Sequence, residues 1–184
     1  MSNDKLVQDA SVPVSEQPTR QSALYDRVAE QTASMIIREY STSFGMAARL
    51  LGAGVRQDVE NIYGLVRLAD EIVDGVAAYA GVSEKEIRRL LDELEEETEA
   101  AMQRGYSTNL VVHAFALTAR RTGIEADLTR PFFKSMRVDI TRVTHTPKSF
   151  DDYVYGSAEV VGLMCLQAFL VGPLAPLGDL AGPG

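Results

Sequence analysis

From Ser22 onward, the periodic stretches of this chain repeat their apolar residues at helical spacing, and no run alternates as a strand would. A set of segments that each offer one apolar stripe must pack side by side, so the expected fold class is all-α. "SALYDRVAEQTASMIIREY" offers Leu24, Val28, Met35 and Ile36, and Gly52 and Gly54 end the run that follows. Residues 55–78 read as one helix. "SEKEIRRLLDELEEETEAAMQRG" opens on a Ser83/Glu86 capping box and stops at Gly105, with Ile87, Leu90, Leu91, Leu94 and Ala101 as its stripe. Its acidic residues from Asp92 to Glu99 read as a solvated face. "NLVVHAFALTARRTG" closes at Gly123, and Pro131 is placed to open the next helix in its first turn. After Pro147, "SFDDYVYGSAEVVGLMCLQAFL" is a long apolar helix. Around this helical domain, residues 21–172, the sequence predicts a disordered lead at 1–20 and an irregular Pro/Gly-rich tail at 173–184.

A length of 184 residues suits one domain with a real core. The net charge of −8, with no Lys/Arg-rich run, excludes nucleic acid as the main partner. A single cysteine, Cys165, allows no internal disulfide and points to a reducing, cytoplasmic setting. The N-terminus has no apolar signal-peptide core, and no apolar stretch is long enough to span a bilayer. Cys165 reads as a core thiol and His113 as a satisfied core or boundary histidine, while His145 has no evident partner.

Residues 58–79 sort into two faces. Ile62, Leu65, Ala69, Ile72 and Val76 form an apolar one. Tyr63, Arg67, Asp70 and Asp74 align on another. Two carboxylates one turn apart suit a hard divalent cation, since Mg²⁺ takes one or two carboxylates and completes its shell with water and phosphate oxygens. Arg67 could hold a phosphate bidentately. The same spacing equally describes a solvated face on which Arg67 pairs with one aspartate. Upstream, the hydroxyls of "YSTSF" can bind phosphate or cap a helix. Downstream, Gly156 and Gly162 in "YVYGSAEVVG" either admit close helix packing or leave room for a bulky apolar ligand.

The ordered set "STSFGMAARLL", "NIYGLVRLADEIVDG", "FFKSMRVDITR" and "YVYGSAEVVGLM" resembles the squalene/phytoene synthase family over roughly residues 30–172. The resemblance implies a helical isoprenoid synthase bundle around a cavity, and Mg²⁺-dependent head-to-head joining of two isoprenyl diphosphates. It implies that Asp70 and Asp74 bind Mg²⁺ and, through it, a diphosphate. It implies that Ser41, Ser43 and Arg67 contact diphosphate, and that Tyr63 and Tyr153 face the reacting groups. Asp139 is weakly implied as cavity-facing. The parent reaction it suggests is geranylgeranyl diphosphate to phytoene, in carotenoid biosynthesis. Farnesyl diphosphate to squalene or dehydrosqualene is the close alternative, and a non-catalytic diphosphate- or partner-binding helical protein the rival from another class. Two departures stand out. Ala158-Glu159 replaces the family's Ala-Gly, so Glu159 is expected to face away from the cavity. The family's second aspartate-rich motif does not occur in this sequence. The expectation is therefore a bundle incomplete at its C-terminus, inactive alone, with a complementing C-terminal fragment as partner and at most weak peripheral association with a membrane.

Overall fold

The computed structural model describes residues 20–41, 46, 48, 50–141, 151 and 153–171. The expected tail, residues 1–19 of the expected lead, Ser43, His145 and Pro147 lie outside the described residues, while Arg20, placed in the lead by the sequence, opens the first helix. Among the described residues seven helices follow in order: α1 (Arg20–Tyr40), α2 (Ala53–Val73), the short α3 (Val76–Tyr79), α4 (Glu84–Arg104), α5 (Leu110–Thr122), α6 (Ala126–Thr141) and α7 (Val160–Val171). A π-helical turn, Tyr155–Glu159, leads directly into α7. There is no strand among the described residues, and no helix there is long and apolar enough to cross a membrane.

The helix ends follow local chemistry. Ser83 accepts the Glu86 N–H at 3.3 Å, while the Glu86 carboxylate turns to Arg89. The Asn109 side chain caps α5 by accepting from Val111 N–H at 3.0 Å. Gly105 and Gly123 close α4 and α5 in the left-handed conformation, at φ 79° and 76°.

α2 is the central helix and packs against all the others. Its Ile62, Leu65, Ala69 and Val73 enter a core with Leu91 and Leu94 of α4, Phe115 of α5, Phe132 and Phe133 of α6, and Met164 of α7. α1 lies on α2 and α5.

Several expectations are corrected here. The buried stripe of α1 is Ala29, Ala33 and Ile37, while Leu24, Val28 and Met35 are exposed. The reason is close approach: a Cβ on Gly64 of α2 would sit 3.3 Å from the Ala33 Cβ, so the small residues of α1 must face α2. The helix expected over 55–78 ends at Val73, and Val76 is exposed because the turn at Asp74-Gly75 breaks its register. Pro131 lies inside α6, which starts at Ala126, three residues past the cap glycine of α5. The acidic run of α4 is only partly a solvated face: Asp92 and Glu95 pair with Arg137, and Glu99 with Arg130, which ties α4 to α6. Of the two glycines before and in α7, Gly156 serves packing. A Cβ there would fall 2.4 Å from the Pro131 carbonyl oxygen of α6. Around Gly162 there is open space.

Candidate active site

The C-terminal end of α2 gathers the polar face expected from the sequence. The two terminal nitrogens of Arg67 are held by the carboxylates of Asp70 and Glu71. The Tyr40 ring of α1 lies against the same guanidinium, 4.3 Å from its central carbon. Arg67 Nε is buried and has no hydrogen-bond partner among the described residues. Asp74 caps the helix, its N–H still bonded to the Asp70 carbonyl at 2.8 Å, and its side chain is exposed.

Glu71 sets the turn. Its Oε2 accepts the Val76 N–H at 3.1 Å, which caps α3. The Val76 N–H, and against burial the Arg67 guanidinium and the Tyr40 hydroxyl, hold this carboxyl below the usual glutamate range. The same oxygen occupies the place where a Gly75 side chain would begin: a Cβ there would lie 2.0 Å from it. Only glycine fits beside a carboxylate folded this way.

From the opposite side, the Tyr153 hydroxyl donates to Asp139 Oδ2 of α6 at 3.1 Å. Burial, then Asp139 and the nearby Asp74 charge, push the phenol's pKa up, so it stays protonated. Asp139 thus makes a polar contact at this end of the bundle. Tyr63 is half-buried and close enough to act on the Arg67 charge. Ser41 follows Tyr40, half-buried, its N–H bonded to the Ile37 carbonyl at 3.0 Å. So Arg67, Asp70 and Asp74 share the C-terminal end of α2, with Tyr63 one turn before Arg67, and Tyr153 reaches this end across the bundle. Glu71 and Tyr40 were not picked out from the sequence. Glu71 stands four residues after Arg67, a readable ion-pair spacing, but Tyr40 depends on how α1 docks.

An apolar pocket of about 440 Å³ lies between α7 and the N-terminal half of α2, lined by Ala48, Leu51, Val59, Val161, Gly162 and Cys165 among others. Val59 and Asp70 are separated by about 16 Å of helix at 1.5 Å per residue. Burial pushes the Cys165 thiol up to about 11, so it stays a neutral wall of this cavity. Glu159 is exposed and is not among the residues lining this pocket.

A second polar cluster lies toward the other end of α2, built around a buried carboxylate. Asp58, fully buried, pairs with Arg121 and accepts the Thr118 hydroxyl at 2.8 Å. Asn61 donates to Thr118 at 3.0 Å, and Gln57 to Asn61 at 3.0 Å. His113 is likewise a tie. Its Nδ1 accepts the Ser107 N–H at 3.3 Å, which leaves Nε2 to donate to Asp26 of α1 at 2.8 Å.

Taken as a fold, this is the architecture of the helical isoprenoid synthases. The crystal structure of a dehydrosqualene synthase in complex with ligand matches it with a TM-score of 0.66, at 23% identity, over 79% of this chain and 48% of that one. The sequence profile of the squalene/phytoene synthase family matches residues 37–181, and the chain belongs to that family. Among its relatives, a 15-cis-phytoene synthase of Paracoccus sp. is 29% identical over 137 residues, 72% of this chain and 44% of the relative. A phytoene synthase of Arthrospira platensis is 28% identical over 164 residues, 88% of this chain and 49% of the relative. The chain thus spans about half the length of the curated relatives it matches.

Proposed function

We propose that this chain carries the diphosphate-binding side of a phytoene synthase-type prenyltransferase, whose reaction joins two geranylgeranyl diphosphates head to head in carotenoid biosynthesis. The observation that carries the reading is a carboxylate-and-arginine helix end on the same helix that contributes Val59 to an apolar pocket. The names of the two relatives support the C20 substrate over farnesyl diphosphate.

Among the described residues no group of three or more His, Cys, Asp or Glu side chains could hold a metal by itself. Asp70 and Asp74 therefore fit Mg²⁺ shared with a diphosphate, not a caged ion. When bound, that ion would neutralise charge on the departing diphosphate. Arg67 would add to this from the protein side, and the hydroxyls of Ser41 and Ser43 would hold further oxygens. Ionisation of an allylic diphosphate leaves a carbocation. Tyr153, kept neutral by burial first and then by its bond to Asp139, would offer its electron-rich ring to that cation, with Tyr63 nearby. The apolar cavity would hold the isoprenyl chain and keep water away. Binding two diphosphates at once calls for carboxylates beyond Asp70 and Asp74. The product's poor solubility fits weak peripheral contact with a membrane, little affected by salt given the chain's net charge of −8.

The test is equilibrium dialysis with labelled geranylgeranyl and farnesyl diphosphates, with and without Mg²⁺. We expect Mg²⁺-dependent retention of the C20 compound that Asp70→Asn with Asp74→Asn removes. Retention that ignores both Mg²⁺ and these substitutions would sink the reading.

A further inference from the structure

Arg67 is not presented to a ligand. Both terminal nitrogens are taken by carboxylates, Nε is buried without a partner among the described residues, and Tyr40 covers one face of the guanidinium. With Asp70, Glu71 and Asp74 around one cation, this helix end is net negative and repels a diphosphate.

The two carboxylates that hold Arg67 differ in how firmly they are themselves held. Glu71 is anchored at both oxygens, by Arg67 and by the Val76 N–H at 3.1 Å. It lies folded over Gly75, and its side chain is 19% exposed. Asp70 is 42% exposed, so solvent and cations reach it. A hard divalent cation prefers anionic oxygen and would compete for the carboxylate it can reach.

We propose that Glu71 is the fixed positioning residue of Arg67 and Asp70 its exchangeable mask, so that a divalent cation, by drawing Asp70 away, uncovers the guanidinium for the diphosphate. This rests on the reading of the site given above. It goes further in one respect: metal and diphosphate load together because the metal removes an inhibitory contact, and not only because it bridges the anion. Glu71 keeps Arg67 at the site throughout.

The proposal makes an unusual demand. Removing Asp70, a metal ligand, must improve binding of a diphosphate when no metal is present. The experiment is calorimetric titration of inorganic pyrophosphate into the full chain, once with a chelator and once with Mg²⁺, with folding checked by circular dichroism. The unsubstituted chain is expected to bind pyrophosphate only with Mg²⁺. Asp70→Ala is expected to lose Mg²⁺-dependent affinity and to gain metal-free affinity by about tenfold or more. Adding Arg67→Ala to Asp70→Ala is expected to abolish the gain. Glu71→Gln removes the same unit of negative charge but leaves Asp70 on Arg67, so it is expected to give no metal-free gain.

Equal gains for Asp70→Ala and Glu71→Gln would mean simple relief of repulsion and would overturn the proposal. So would an Asp70→Ala chain, folded, with no metal-free gain, or an unsubstituted chain that binds equally well without Mg²⁺. If the unsubstituted chain binds no pyrophosphate even with Mg²⁺, the site reading itself fails, and the proposal fails with it.

Discussion

The two ends of α2 carry polar clusters of similar composition and opposite character. At one end Asp58 is sealed among Thr118, Arg121 and Asn61, with no exposed surface. At the other, Asp70 and Asp74 stand at the surface, and Arg67 is held by neighbours on its own helix. A buried carboxylate with a fixed partner binds helices together. An accessible one whose partner can be exchanged is available for a ligand. The difference lies in what packs over each end: α5 seals the first, and the chain turns away at Gly75 beside the second. One helix thereby carries a sealed end and an open one.

The largest expected effect separates the ends by stability. Arg121→Ala would leave Asp58 buried without its cation, and should cost about 3–5 kcal/mol in urea unfolding followed by circular dichroism. The folded fraction should still bind Mg²⁺-pyrophosphate normally. A loss under about 0.5 kcal/mol would show that the Asp58 cluster is not a structural tie.

The reverse experiment follows in size. Asp70→Asn with Asp74→Asn should lower Mg²⁺-dependent pyrophosphate affinity by about a hundredfold, near 2.7 kcal/mol, and should change unfolding free energy by less than about 0.5 kcal/mol. If stability falls as far as affinity, the open end is structural too and the contrast collapses.

Sequence pattern made the open end legible and hid the closed one, for a physical reason. The polar face of Tyr63, Arg67, Asp70 and Asp74 follows from the helical period, which is local. So do the stops at Gly105 and Gly123, which take left-handed φ. Asp58, Asn61 and Thr118 meet only through packing of α2 on α5, and nothing local marks an aspartate as fully buried. The α1 stripe was misread for the same kind of reason. Large apolar residues suggested the buried face, but contact at Ala33 and Gly64 favours small ones. The break after Val73 was written in Glu71 and Gly75, yet it needed the folded position of one carboxylate to become visible.

A smaller effect tests the wall opposite the site. Gly156 lets the π-helical turn after Tyr153 sit against α6. Gly156→Ala would drive a methyl group into the Pro131 carbonyl oxygen and a Ser135 side chain, at a cost of about 1–3 kcal/mol. Because Tyr153 hangs on this contact, its bond to Asp139 should loosen. Geranylgeranyl diphosphate retention should then fall more than pyrophosphate affinity. Equal losses in both would mean that the turn supports the diphosphate end alone.

The smallest expected effect is in pH, and it has opposite signs at the two ends. Glu71 at the open end is held below the ordinary glutamate range, by the Val76 N–H first. A depressed folded value means the stabilisation is complete above the unfolded pKa and disappears as pH falls through the lower folded one. Glu30, beside the closed cluster, is pushed up, by burial first, with Arg121 opposing. Its penalty is present at neutral pH and vanishes once pH drops below the unfolded value, so acid relieves it. Urea midpoints measured from pH ~7 to ~3 should therefore fall less steeply for Glu71→Gln than for the unsubstituted chain. For Glu30→Gln they should start higher at neutral pH and fall more steeply, because the offsetting relief is gone. Three superimposable profiles would mean that neither carboxyl senses its end of α2 in the folded state, and that exposure alone, without the Val76 and Arg67 contacts, describes Glu71.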